Sequence, residues 1–177
     1  MLFSADELTY FKSTCVDGTC KTGYLTAQHQ VYRLIGLDFI KSTISGKVSV
    51  TRALGNFWFE KNTFWDIIYT GFENFHKAAN MNLFIENSFR EHLAVPRDWS
   101  AFAGYVSLRV PNGHTIEILE GIAKSHPSYS KDDPLKRGAR ARSLSGGAVQ
   151  FYVKLDTDNH ASWVTPPLPL RLQSATA

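Results

Sequence analysis

The sequence predicts an α+β domain in which a split or mixed, mainly antiparallel sheet is joined by helices from the N-terminal and middle segments. Three observations predict it. Ser4-Ala5-Asp6-Glu7 has the Ser-x-x-Glu form of a capping box and opens a helix. In the middle, Met81, Ile85 and Phe89 recur at intervals of four, along one helical face. The second half then changes period, with apolar and polar residues alternating over Tyr105–Val110 and over Ala148–Leu155.

Taken in order, the first helix is expected to run from the capping box to about Phe11, and residues 12–24, rich in turn formers, to be a loop. Val31–Ile35 is β-branched and aromatic and is stopped by Gly36, so it reads as a strand. Val48–Thr51 is a short strand or part of an excursion. Phe57-Trp58-Phe59, after Gly55-Asn56, is too dense in aromatic rings for casual surface. Phe64–Ala79 is weakly helical, Asn80–Leu93 more clearly so, and Pro96 ends that second helix. Pro111-Asn112-Gly113 is a turn, since Pro fixes φ and Gly permits positive φ. Thr115–Leu119 is a strand ended by Gly121. In Ala148–Leu155, Val149, Phe151, Val153 and Leu155 face one way and Gln150, Tyr152 and Lys154 the other.

Residues 1–177 read as a single domain, with no repeat and no dividing linker. Residues 124–143 form a polar insertion with the basic run Lys136–Arg142, and from about 164 the tail is extended by Pro166, Pro167 and Pro169. Hydrophobic residues at 44% and aromatics at 13% are too many for a disordered chain. A net charge of +3 argues against wholesale electrostatic binding to nucleic acid or membrane. No apolar run approaches the ~20 residues that span a bilayer, and Met1–Glu7 lacks the regions of a signal peptide, so no membrane partner is expected. The six histidines stand singly and the two cysteines have no second pair at ligand spacing, so no metal is expected. The spacing of Cys15 and Cys20 leaves a small disulfide loop and two free thiols equally open.

Four stretches carry the remaining chemistry: Tyr32-Arg33, the aromatic cluster after Gly55, Val110-Pro111-Asn112-Gly113 with Glu117-Ile118-Leu119-Glu120-Gly121-Ile122-Ala123, and Ser145-Gly146-Gly147-Ala148-Val149-Gln150. In this order they resemble polymorphic-toxin domains, in particular the NAD glycohydrolases related to the tuberculosis necrotizing toxin, whose wider relatives are the ADP-ribosyltransferases. The resemblance spans about residues 30–155 and is densest over 105–123 and 144–153. It implies an ADP-ribosyltransferase-like fold, NAD as substrate, and Arg33 and Gln150 in the active site. It also implies a secreted effector acting in a target-cell cytosol, with a cognate immunity protein as partner. The inserted basic loop and the turn Ser145-Gly146-Gly147-Ala148, less glycine-rich than the family's, are departures from the pattern.

The residue chemistry is compatible with that reading. A guanidinium at Arg33 suits phosphate oxygens. Gly146 and Gly147 allow backbone N–H groups to approach a ligand, and Gln150 offers an amide to the ribose or to the attacking water. Tyr32, Phe57 and Trp58 are further candidates for the cofactor site, where a ring at Phe57, Trp58 or Phe59 could stack on nicotinamide and exclude water. Cleavage at the ribose develops positive charge, which a carboxylate at Glu117 or Glu120 would favour. Two alternatives stand beside it. One is ADP-ribosylation of a macromolecular acceptor, a protein or an RNA. The other is an RNA-binding or RNase toxin whose basic loop contacts phosphates, with Tyr129 nearby for stacking.

Overall fold

The computed structural model describes residues 2–36, 40–41, 55–73, 81–95, 102–127, 143–156 and 158–170. Val48–Thr51, Tyr129 and the basic run Lys136–Arg142 lie outside the described residues. Helix α1 (Ala5–Thr14) begins as the capping box requires: Ser4 Oγ accepts from Glu7 N–H and the Glu7 carboxylate accepts from Ser4 N–H at 2.8 Å. Those bonds, with Lys154 Nζ 3.0 Å away, hold the Glu7 carboxyl below its ordinary pKa. Phe3 and Leu8, before and inside the cap, join one cluster with Phe11, Leu119 and Tyr152, and this fixes the helix on the sheet.

The strands are β1 (Lys21–Leu25), β2 (Gln30–Ile35), β3 (Phe57–Glu60), β4 (Gly104–Arg109), β5 (Ile116–Ile122), β8 (Val149–Val153) and β9 (Leu168–Pro169), in the sheet order β1-β5-β8-β3-β2-β4-β9. Every pairing is antiparallel. A separate two-stranded ribbon joins β6 (His126–Pro127) to β7 (Ser143–Leu144). Helices α2 (Lys61–Glu73) and α3 (Met81–Leu93) complete the frame. The α+β class and the antiparallel sheet predicted from the sequence are therefore present.

Several expectations change. The segment 12–24 is not all loop, because α1 continues to Thr14 and Lys21–Leu25 pairs along its whole length with β5. Lys-Thr-Gly-Tyr-Leu has little strand signal of its own, so tertiary pairing supplies it. Gly121 lies inside β5 rather than ending it, opposite Gln150. The alternation of β8 is real, but both of its faces are buried. Helix α3 stops at Leu93, where Ala94 turns to φ 52° ahead of Pro96. The proline-rich tail contributes β9, which pairs with Gly104 and Tyr105, and Val164 is buried.

Register separates the two faces of the sheet. Val31, Trp58, Val106, Leu108, Ile118, Phe151 and Val153 belong to one cluster on one face. On the other face α1 covers Leu119 and Tyr152, and α2 with α3 covers Tyr32, Leu34 and Phe59 through Phe64, Ile67, Ile68, Ile85 and Phe89. Phe64, Ile67 and Ile68 have the i, i+3, i+4 spacing of one helical stripe. Between these two helical patches the sheet splits. Strand β2 pairs with β3 only at Val31↔Glu60 and Tyr32↔Phe59. Beyond them β2 continues beside β4 to Ile35, and β3 runs back beside β8 to Phe57. The sheet therefore forks.

Candidate functional site

At the fork lies a cavity of about 470 Å³, within the usual size of small-molecule sites. Its walls come from the end of α1 (Tyr10, Ser13, Thr14), the divergent strands (Arg33, Leu34, Phe57, Trp58, Phe59) and the end of α3 (Leu93, Ala94, Val95). Phe102, the segment Ala123–His126 and Gln150 close it. Phe102 is braced by the Arg90 guanidinium, 4.4 Å from its ring centre.

Arg33 spans the fork. Its Nη1 donates to the Phe57 carbonyl at 2.6 Å, across the gap where β2 and β3 no longer pair. The residue keeps some open surface, yet its guanidinium lies deep enough that desolvation lowers its pKa to about 10. It is still cationic at neutral pH. Among the described residues no carboxylate pairs with it, and none of the described residues lining the cavity is acidic. Lys124 and His126 add further basic groups, with Lys124 Nζ 3.9 Å from Asp17. Among the described residues this deep charge has no counter-ion, the situation in which an anionic ligand is favoured.

Room for that guanidinium comes from Gly55. A Cβ there would stand 2.5 Å from Arg33 Nη2 and 3.1 Å from Cζ. Gly55→Ala is expected to displace the Arg33 head while leaving its charge and the fold in place. Titration of this variant with pyrophosphate should show affinity lowered about tenfold and a melting temperature within about 2 °C of the parent. Unchanged affinity would remove Arg33 from the anion site.

Gln150 is buried in the opposite wall. Its Nε2 donates to Thr14 O at 3.1 Å and Thr14 Oγ1 at 3.0 Å, and Cys15 Sγ lies 3.5 Å away. A main-chain carbonyl accepts only, so these contacts settle which end of the amide is nitrogen. No described residue donates to its Oε1 atom. Phe57 adds an aromatic wall, edge-on to Tyr10 at 6.0 Å and to Tyr152 at 5.5 Å. Trp58 is buried with its indole N–H unpaired among the described residues.

Of the residues singled out from the sequence, the fork brings together Arg33, Phe57, Trp58 and Gln150. Tyr32 stacks on Phe64 at 4.5 Å within the core under α2 and does not reach the cavity. Glu117 and Glu120 lie on β5 opposite Tyr24 and Lys21, with Glu120 paired to Lys21 Nζ at 3.2 Å, and neither lines the cavity. Gly146 and Gly147 both have positive φ, at 71° and 93°. Their N–H groups donate to Glu91 O and Ala123 O, and Ala148 N–H to His92 O. The glycine turn thus caps the end of α3 and holds the β5 connector, so its amides are committed within the chain. Tyr10, Thr14, Gly55, Phe102, Lys124 and His126 were not singled out. Only Gly55 and Lys124 carried a local signal, as neighbours of the aromatic cluster and of Ala123.

Among the described residues no group of three His, Cys, Asp or Glu side chains stands placed to hold a metal ion. No described helix is long and apolar enough to cross a membrane. Cys15 and Cys20 are free thiols, the first buried, and burial beside Cys15 pushes the Cys20 thiol up.

The site and fold define an α+β chain whose forked antiparallel sheet carries a cationic, aromatic-walled cleft. Two solved structures are similar to it. One is Tne2 in complex with Tni2, at 13% identity and TM-score 0.48, covering 90% of this chain and 99% of that one. The other is Rhs1-CT in complex with its cognate immunity protein RhsI1, at 16% identity and TM-score 0.42, covering 86% and 83%. No family model and no curated protein sequence matches the chain.

Proposed function

We propose that this chain is a toxin domain that consumes NAD, hydrolysing it to nicotinamide and ADP-ribose. The observation that supports the reading most is Arg33: a deep guanidinium facing a cleft, with no carboxylate partner and no acidic lining among the described residues. NAD brings two phosphate charges for that guanidinium and a flat base for the aromatic wall. The ordered motifs that resemble the NAD glycohydrolases point to the same two residues, Arg33 and Gln150.

In this reading Arg33 and Lys124 hold the pyrophosphate and fix the dinucleotide in the fork. Phe57 and Tyr10 flank the nicotinamide and exclude bulk water. The Gln150 oxygen accepts a hydrogen bond from a ribose hydroxyl or from the attacking water. The bond from the nicotinamide nitrogen to the ribose carbon breaks, its electron pair leaves with neutral nicotinamide, and positive charge develops on the ribose. Water adds its oxygen to that carbon and releases a proton to solvent. No carboxylate from β5 takes part, which favours a water acceptor over the transferase alternative, for which Glu117 or Glu120 was the candidate. The toxin reading brings with it a secreted effector working in the target-cell cytosol and a cognate immunity protein seated over the cleft.

The test is nicotinamide release from NAD by the purified protein and by Gln150→Ala. Rapid release with free ADP-ribose, reduced at least a hundredfold in the variant, is the expected result. Release that depends on added cell lysate would move the assignment to a transferase with a macromolecular acceptor. If neither condition gives turnover, the NAD reading falls, and salt-dependent RNA binding by the basic run becomes the next measurement.

A further inference from the structure

We propose that Thr14 is a positioning residue for the candidate catalytic amide of Gln150, an inference that rests on the NAD reading above. Thr14 is the last residue of α1, where main-chain carbonyls lack intrahelical partners. Its carbonyl accepts from Gln150 Nε2 at 3.1 Å and from Lys124 N–H at 2.9 Å, so it links both sides of the cavity. Its hydroxyl donates to Phe11 O at 2.8 Å and accepts from Gln150 Nε2 at 3.0 Å. Because that hydroxyl proton is spent on Phe11 O, Oγ1 meets Gln150 as an acceptor. The acceptor pair Thr14 O and Oγ1 admits the NH₂ end of the amide and rejects its oxygen. The amide is thereby locked with Oε1 turned away from Thr14, available to a water or ribose hydroxyl in the cavity that Gln150 lines.

The same arrangement explains why a glutamine suits this place. A carboxylate at position 150 would face two acceptors and repel both. The carbonyl at the end of the helix, already an acceptor for Lys124 N–H, takes a second hydrogen bond from the side chain it orients.

Thr14→Val keeps the shape of the side chain and removes the hydroxyl, while Thr14→Ser keeps the hydroxyl. Nicotinamide release should show kcat lowered about tenfold in the valine variant with KM within twofold, and kcat within twofold of the parent for serine. The side-chain NH₂ resonances of Gln150, identified by their loss in Gln150→Ala, should exchange with solvent at least tenfold faster in Thr14→Val than in the parent. Valine and parent with equal kcat, in a protein that turns over NAD, would overturn the positioning role alone. Equal losses in valine and serine would overturn it too, as a packing effect. A parent protein without turnover overturns the NAD reading and this role together.

Discussion

Replacing Arg33 by methionine is expected to raise the melting temperature of this protein and, on the NAD reading proposed above, to cut turnover of NAD severely. The guanidinium sits at the fork with one hydrogen bond, to the Phe57 carbonyl, and no carboxylate among the described residues. Desolvation lowers its pKa to about 10, a loss on the order of 3 kcal/mol on taking the charge out of water. Methionine fills a similar volume without a charge, and part of that loss is recovered, less the hydrogen bond to Phe57. A net gain of about 1–2 kcal/mol raises the melting temperature by roughly 2–6 °C. On the NAD reading the same change would leave the pyrophosphate without the Arg33 charge, and kcat/KM should drop by roughly 10²–10³. Calorimetry and nicotinamide release on one preparation check both halves. A less stable variant that still turns over NAD would show that Arg33 serves the fold and not a ligand.

Gly121→Ala is expected to be among the most damaging single-atom additions in the chain. A Cβ on Gly121 would collide with Cys15 Sγ and come within 3.5 Å of Cys20 Cα. Cys15 cannot retreat, since it is buried beside Phe11 and pairs across an isolated bridge to Ala123. Overpacking of this kind costs about 2–3 kcal/mol, or roughly 5–10 °C in melting temperature. The cause can be isolated with Cys15→Ala, which opens space at the point of collision. The double variant should be more stable than the sum of the single effects implies by about 1–2 kcal/mol, measured by urea unfolding. Strict additivity would place the clash elsewhere. Because Gly121 lies opposite Gln150, the single variant should also disturb the amide above it.

These two residues illustrate what could be read from the sequence. The strands with strong alternation, around Val106 and Phe151, were legible because a buried face imposes period two on its own residues. So was α1, whose cap is a local arrangement of four residues. Arg33 and Gln150 were legible only as members of an ordered set of motifs. Glu117 and Glu120 were chosen for closeness along the chain, and register places them toward the β1 edge, away from the fork. Strand β1 was missed because its extended form depends on β5, nearly a hundred residues downstream. Thr14 and Lys124 meet through one hydrogen bond between segments equally far apart, and nothing local announces such a meeting. Gly146 and Gly147 looked like ligand-binding backbone because a capping turn and an anion cradle call for the same residue.

The order of the strands also governs how this chain can fold. Among the described strands, β2 and β3 are the one pair in the large sheet that are neighbours with no other strand between them in the chain, and they share two register positions. Strand β8, near the C-terminal end of the sequence, lies between β5 and β3 and joins the flank β1-β5 to the rest. Hairpins cannot zip this sheet together from one end, and the long loops must close before the contacts that reward them form. During synthesis the β1–β5 flank is therefore expected to pair into the sheet only after Val149–Val153 has left the ribosome. Until that point the two walls of the fork have no common frame, and an incomplete chain has no assembled cleft.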